Sequence, residues 1–440
     1  GGKPGYAENK NRNANFYLNG GYVYDGRYLL DVNLRSDGTS VFGANKRFST
    51  TWSVGLAWNV HREKFMKDKA SFINVLKLRG SVGNPGNQNF SSYSAITTYY
   101  FNNWMLNNFG TGVLVSKFGD PNLAWQRTLD KNIGINLSMF SNRFHVTVDF
   151  YHKRTDPLIA DIGIPVSMGV EKRRTNIGVQ VDKGVNGTIR YAILYKPQES
   201  INYTMSVNFR YGTAFYKNIG RSLNAYNQEN ISKNLTRYYD GGSPTALWAV
   251  RSRGIDPATG QEIFVKKDGT LTYTFDYKDE VEVGDSRPTL EGVWGNTFYY
   301  KGWSASLQLR YSFGADVFNS TLFNKVENIS SRSITTNQDR RALYNRWKKP
   351  GDKAKFKSIS LTESTPMSSR FVMKENYLSI ESVRLGYQFD SKWLKKALRI
   401  SSLNINMYMN SIARFSTLED ERGLYYPFAR SISFSLGAIL

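Results

Sequence analysis

The connections between the strand-like runs of this chain alternate between short and long, and that rhythm constrains the fold more than any single residue does. Tight joints fall at Asp25-Gly26, Ser141-Asn142, Lys196 to Ser200 and Tyr300 to Gly302, with somewhat longer ones on the same side at His61 to Asn74 and Asp390 to Leu398. Between them lie long polar excursions: Asp37 to Lys46, Gly86 to Ala124, Thr155 to Thr175, Lys217 to Glu291, Gly314 to Glu375 and Arg414 to Phe428. A water-soluble sandwich has no reason to collect its long loops at one end. A transmembrane barrel does, because its inner turns are short and its external loops long.

The runs themselves have a period of two. Tyr28, Leu30, Val32 and Leu34 alternate with Arg27, Asp31, Asn33 and Arg35. Trp52, Val54, Leu56, Trp58 and Val60 alternate with Thr51, Ser53, Gly55, Ala57 and Asn59. The same pattern recurs at Ile133 to Met139, Phe144 to Tyr151, Tyr203 to Arg210, Trp303 to Arg310 and Ser431 to Leu440. Only a strand places successive side chains on opposite faces in this way. A half-buried sheet in a soluble or surface-anchored β-rich glycan-binding protein shares the alternation. Length separates the two: several runs reach about 10 residues, the span a tilted strand needs to cross a bilayer, against about five or six in soluble strands. Tyr22, Tyr24, Tyr28, Trp52, Trp58 and Tyr299 fall near predicted strand ends, where a barrel keeps its aromatic girdles.

Composition excludes several classes. No apolar run approaches ~18 residues, so no transmembrane helix is expected. The 440 residues include no cysteine, which rules out disulfides and thiolate metal sites. Of the three histidines, His61, His145 and His152, the last two lie seven apart on one predicted strand and so on opposite faces, and no metal site is expected. The formal charge is +22, yet no nucleic-acid-binding motif accompanies it; the basic residues are spread through loops and strand ends, as on a surface facing phosphate-bearing lipids or an acidic ligand. Gly1-Gly2-Lys3-Pro4 is a polar loop and not a signal peptide. Roughly thirteen strands are predicted, and an odd meander cannot close an all-antiparallel barrel, so the chain reads as the C-terminal part of a larger one.

The order of short motifs carries a family resemblance. Arg27-Tyr28-Leu29-Leu30, Ser36-Asp37-Gly38-Thr39-Ser40 with Phe42-Gly43, Trp58 with Glu63-Lys64-Phe65-Met66, and Leu76 to Gly83 followed by Gly86-Asn87 come first. Pro121-Asn122-Leu123-Ala124-Trp125, Asn132-Ile133-Gly134, Asp149-Phe150-Tyr151, Arg154-Thr155, Leu158, Asn176-Ile177-Gly178 and Lys183-Gly184-Val185 continue the series. Gly254 to Gly260, Gly284, Arg287-Pro288, Arg346-Trp347, Tyr377 to Ile380, Leu385-Gly386-Tyr387 and Tyr426-Pro427 complete it. Together these resemble the TonB-dependent outer-membrane transporters of the SusC/RagA type across nearly the whole chain. Asn186 stands where that family often has Glu, and Leu440 where its mature chain usually ends in an aromatic, the nearest being Phe434. The resemblance implies an all-β, up-and-down transmembrane barrel in the outer membrane of a Gram-negative bacterium. Residues 1–440 would form the C-terminal portion of a barrel that has 22 strands in the family. The plug, TonB box and N-terminal carboxypeptidase-like extension find no counterpart here. It further implies proton-motive-force-driven import of oligosaccharides or peptides, a SusD-like lipoprotein lid, contact with outer-membrane lipid and lipopolysaccharide, and energy from TonB-ExbB-ExbD through the absent N-terminal region.

No catalytic or cofactor constellation competes with that reading. Asp149, Asp256, Asp268, Glu280 and Glu282 are scattered and make no carboxylate-pair motif. Gly254 to Gly260 lacks the GK[ST] ending of a phosphate loop and reads as a turn, as does Asp268-Gly269. Asp279-Glu280-Val281-Glu282 is one acidic strip and not a calcium cage. The loops Lys217 to Glu291 and Gly314 to Glu375 are the candidates for substrate and partner contact. Tyr226, Tyr238, Tyr239 and Trp248 there are suited either to stack on a ligand ring or to pack the loops together. Arg35, Arg79 and Arg310 are expected to face the lumen.

Overall fold

Tight turns with positive φ join the strands in pairs: Asp25 and Gly26 at one, Phe140 to Asn142 at another, Lys301 and Gly302 at a third. The computed structural model describes residues 10, 12–40, 47–67, 71–87, 96–108, 110–335, 337–360, 363–397, 399–419 and 429–439. The Phe42-Gly43 and Tyr426-Pro427 motifs and both chain ends lie outside the described residues. The principal strands are β1 (Asn13–Tyr24), β2 (Tyr28–Thr39), β3 (Phe48–Asn59), β4 (Ile73–Gly83), β5 (Gln126–Met139), β6 (Phe144–Asp156) and β7 (Val179–Lys196). They continue as β8 (Ile201–Lys217), β9 (Leu290–Tyr300), β10 (Trp303–Phe318), β11 (Val372–Phe389), β12 (Ser402–Ser416) and β13 (Ile432–Ile439). Their order in the sheet is their order in the chain, a thirteen-strand antiparallel meander with the short strand Gly86–Asn87 added beside β5. No helix among the described residues is long and apolar enough to cross a membrane.

Two compact units divide the chain: Gly1–Gly187 with Gly212–Gln228 and Tyr238–Ser243, and Thr188–Tyr211 with Glu229–Arg237 and Pro244–Leu440. In the first, register carries the apolar face unbroken from strand to strand. Val32 sits opposite Gly20 and Val54, Leu56 opposite Leu30 and Gly80, and Ile133 opposite Gly80 and Phe150. The other face is polar: Asn33 lies between Asn19 and Ser53, and Gly134 between Arg79 and Asp149. In the second unit Val207, Trp294 and Leu309 share a row, followed by Ile380 on β11. Leu385, Met407 and Phe434 make another row.

Among the described residues, none packs over this apolar face to bury it. Leu56 is 60% exposed, Ile133 67% and Phe434 73%. The compact apolar clusters lie instead among the long connections. Leu158, Ile219 and Leu223 form one in the first unit; Leu235, Leu247 and Ala249 form one in the second. A contiguous apolar surface on this scale is untenable in water, and in lipid it is the solvated side. The soluble binding-protein alternative needs a second layer to cover Leu30, Val54 and Leu137, and the structure leaves Leu30 exposed and the other two half-exposed.

Candidate functional site

Three regions carry the functional side chains: the polar wall, the short-turn end and the long-loop end. On the polar wall of the first unit a concavity of about 680 Å³ is lined by Asn19, Asn33, Arg35, Thr51, Arg79, Asp130 and Asn132. The three arginines expected on the lumen face are there, and each has a carboxylate partner. Arg79 bonds Asp149 at 2.6 Å, Arg35 bonds Asp37 at 2.7 Å, and in the second unit Arg310 lies 3.4 Å from Glu381. Paired in this way, the arginines of the polar face offer hydrogen bonds more than net charge. His145 faces this side, bonded to Ser138 at 2.6 Å, while His152 faces the other, in register with Lys131.

At the short-turn end, Tyr24, Tyr28 and Trp58 occupy one register row on β1, β2 and β3, with successive ring centroids 6.4 Å apart. Glu63, in the β3–β4 connection, accepts from the Trp58 indole at 3.0 Å, the Tyr28 hydroxyl at 2.8 Å and Arg27 at 3.0 Å. Those donors, the indole first, hold the Glu63 carboxyl below its ordinary range. Apolar rings with their polar tips drawn to one end match the interfacial use of Trp and Tyr. Tyr22 and Trp52 share this apolar face further along their strands, level with Leu30 and Leu34. Tyr299 does not: it stands in register with Asn202 and Ser304 on the polar face, and Tyr300 with Trp303 takes the apolar position.

The long-loop end is held by buried charge. Arg237, 1% exposed, forks onto Glu280 at 2.9 and 3.0 Å, and its remaining N–H groups donate to the carbonyls of Ile231, Asn234 and Thr236. The acidic strip read in the sequence is thus a structural anchor. Arg370 spans two buried carboxylates, Glu262 at 2.9 Å and Glu327 at 2.8 Å. Ser368 also donates to Glu262, and Thr365 to Glu327. Beside this network lies a cavity of about 820 Å³ lined in part by Arg341, Tyr344, Lys355, Phe356, Phe371 and Glu419. Arg341 there is paired with Asp339 and Glu419, both at under 2.8 Å.

Of the four loop aromatics, the structure brings Tyr226 and Tyr238 together, with ring centroids 5.4 Å apart and Tyr238 packed on the Leu158–Ile219–Leu223 cluster. Tyr239 is exposed, and Trp248 is half-buried in its own unit between Leu247 and Ala249. Packing accounts for two of the four. Several motifs noted in the sequence turn out to be loop fasteners. Asn176 donates to and accepts from the backbone of Ala124, 52 residues away. The Trp347 indole donates to the Pro257 carbonyl at 2.9 Å and lies against Gly260, so the Gly254 to Gly260 turn and the Arg346-Trp347 pair are one contact. Arg237, Glu262, Glu327 and Arg370 were not legible in advance, because their partners lie 38 to 108 residues away. Among the described residues no cluster of His, Cys, Asp or Glu is placed to hold a metal.

A meandering antiparallel sheet with an uncovered apolar face, a polar opposite face and strands joined alternately by tight turns and long packed connections defines an outer-membrane β-barrel. The chain belongs to the TonB-dependent receptor-like β-barrel family, whose model matches residues 1–408. Receptors of this family are outer-membrane proteins of Gram-negative bacteria and are not enzymes. TonB-dependent receptor P39 of Formosa agariphila is 27% identical, over 92% of this chain and 43% of the relative. TonB-dependent receptor SusC of Bacteroides thetaiotaomicron is 24% identical, over 94% of this chain and 42% of the relative. A solved structure of the RagAB peptide transporter superposes with a TM-score of 0.81 at 20% identity, over 93% of this chain and 44% of that one. The chain thus spans less than half the length of the relatives it matches.

Proposed function

We propose that this chain forms the C-terminal portion of the barrel of a SusC-like active importer. The plug, TonB box and carboxypeptidase-like extension are supplied by other parts of the protein. The cargo is an oligosaccharide or a peptide, admitted at the long-loop end under a SusD-like lipoprotein lid. The TonB-ExbB-ExbD system supplies the energy through the N-terminal region. One observation carries the reading: in each unit a polar wall backs an uncovered apolar face, and in the second unit two long loops are locked by buried ion pairs. An importer needs such a wall as a hydrated path and such loops as a firm platform for a lid. The mixed aromatic and cationic cavity at the loop end suits a polar, ring-bearing or acidic cargo, and the +22 charge favours an acidic one. The likeness to the RagAB peptide transporter supports the peptide class.

The test is uptake of labelled oligosaccharide and labelled peptide by cells carrying the intact protein, with and without an uncoupler, together with co-purification of a lipoprotein from outer membranes. Uptake of one class that collapses with the proton-motive force is the expected result. Uncoupler-insensitive entry refutes active transport, and a barrel isolated with no lipoprotein refutes the lid.

A further inference from the structure

On β5 and β6 the outward face changes character abruptly near the long-loop end. Its rows from Met139–Phe144 through Ile133–Phe150 are apolar, and the next three rows are Lys131–His152, Leu129–Arg154 and Arg127–Asp156. The opposite end is marked by the exposed, stacked rings of Phe72 and Phe140, 6.0 Å apart. At about 3.4 Å per residue and a tilt of roughly 40°, the Lys131 row lies about 20 Å above the Met139 row, Arg154 about 26 Å and Arg127 about 31 Å. An outer-membrane apolar band is about 25 Å tall, so these cations straddle its outer boundary. The second unit carries Tyr211, Leu290 and Phe313 in the loop-end row of its apolar face, with Phe415 exposed on β12. The basic stretch is therefore a local departure from an aromatic girdle.

Two more cations extend it. Lys183 on β7, the next strand in the sheet, and Lys217 on β8 both reach over the Phe215 ring, at 5.9 and 5.3 Å. Among the described outward positions of β5 to β8, five cations, Arg127, Lys131, Arg154, Lys183 and Lys217, thus accompany one carboxylate, Asp156, which is held by Arg154 at 2.9 Å. Lys131 is well placed to lay its stem along Val82 and Ile133 and lift its ammonium to the headgroup level.

We propose that this face is a binding site for the phosphate groups of outer-leaflet lipopolysaccharide, with Arg127, Lys131 and Lys183 as its principal ligands. The inference rests on the membrane-barrel reading and is independent of what the barrel transports. Acyl chains lie against Ile133 and Phe150 while the phosphates meet the cations just above, so the lipid is recognised at both ends by adjacent rows of the same strands.

The intact protein in detergent is titrated with lipid A bearing both phosphates and with the same lipid after dephosphorylation, and bound lipid is counted by native mass spectrometry. Each basic side chain near an anionic leaflet strengthens association roughly fivefold, so the Arg127→Gln/Lys131→Gln/Lys183→Gln variant binds about 100-fold more weakly. The Arg127→Lys/Lys131→Arg/Lys183→Arg variant keeps binding. Equal binding of the dephosphorylated lipid to the wild-type protein overturns the proposal without any mutant, as does unchanged affinity in the glutamine variant. The shift in gel mobility on boiling, read from the same samples, tests the barrel reading separately.

Discussion

Val32 and Asn33 are neighbours in the chain with opposite solvents. Val32 lies on the apolar face between Gly20 and Val54, 41% exposed, so an added side chain meets no crowding there. Asn33 lines the polar concavity beside Asn19 and Ser53. Val32 is four residues from the Tyr24–Tyr28–Trp58 row, about 10 Å along the membrane normal at 3.4 Å per residue and a tilt of roughly 40°, close to the middle of an apolar band about 25 Å tall. Val32→Arg at that depth costs about 2–4 kcal/mol, whereas a surface substitution in a water-soluble protein stays within about 0.5 kcal/mol. At 1.4 kcal/mol per tenfold, that is a change of roughly 30- to 700-fold in the unfolding equilibrium. Asn33→Arg, on the lumen side, stays near neutral. Urea unfolding of the intact protein in lipid vesicles, followed by tryptophan fluorescence and gel mobility, measures both. Equal, small effects at the two positions would refute the lipid-facing assignment. A large cost at Asn33 with none at Val32 would invert it.

Two further outcomes probe the ends of the barrel. Arg370→Met strips the cation from Glu262 and Glu327, whose side chains are 2% and 0% exposed, and breaking such a buried pair costs about 3–5 kcal/mol, against 0.2–1 for an exposed one. Hydrogen exchange in residues 251–265 and 365–371 therefore accelerates at least 100-fold with the sheet unaffected, and Arg370→Met/Glu262→Gln/Glu327→Gln recovers most of the protection; exchange unchanged in the single variant would mean the network is idle. At the short-turn end, the Glu63 carboxyl is depressed by the Trp58, Tyr28 and Arg27 donors, so its contribution is present above the ordinary carboxylate range and is lost as pH falls through the lowered value. Trp58 emission shifts in that acid window in the wild type and not in Glu63→Gln; an identical titration in both would break the link.

Much of the sheet was legible because a strand exposes two solvents in a period of two. Thirteen strands were expected and thirteen form the meander, and the tight joints fall where the sequence placed them. The face assignments hold wherever apolar and polar residues alternate cleanly, as along Tyr28 to Arg35. They fail at Tyr299-Tyr300, where two aromatics in succession leave the period undefined and the length of the Lys301-Gly302 turn decides which ring faces outward. The loops were opaque for a different reason. Arg370 has no local pattern to announce it: its carboxylates come from positions 43 and 108 residues earlier, and only the folded loops bring them together. The motifs Asn176-Ile177-Gly178 and Gly254 to Gly260 were visible as motifs, but their purpose as fasteners on Ala124 and Trp347 required the structure.

The two kinds of architecture in this chain answer to different solvents. The sheet turns its apolar face to lipid, and the loss of a methylene from exposed Leu56 or Phe434 is refilled by an acyl chain. The loops bury theirs in protein: Leu158, Ile219 and Leu223 on one side of the division, Leu235, Leu247 and Ala249 on the other, with Arg237 and Arg370 neutralised inside. In that setting a vacated volume stays empty and an orphaned charge stays unsolvated. Shape-sensitive, mutation-intolerant packing is therefore concentrated in the long connections, where the proposed lid and cargo are recognised, and the sheet is free to vary so long as its alternation is kept.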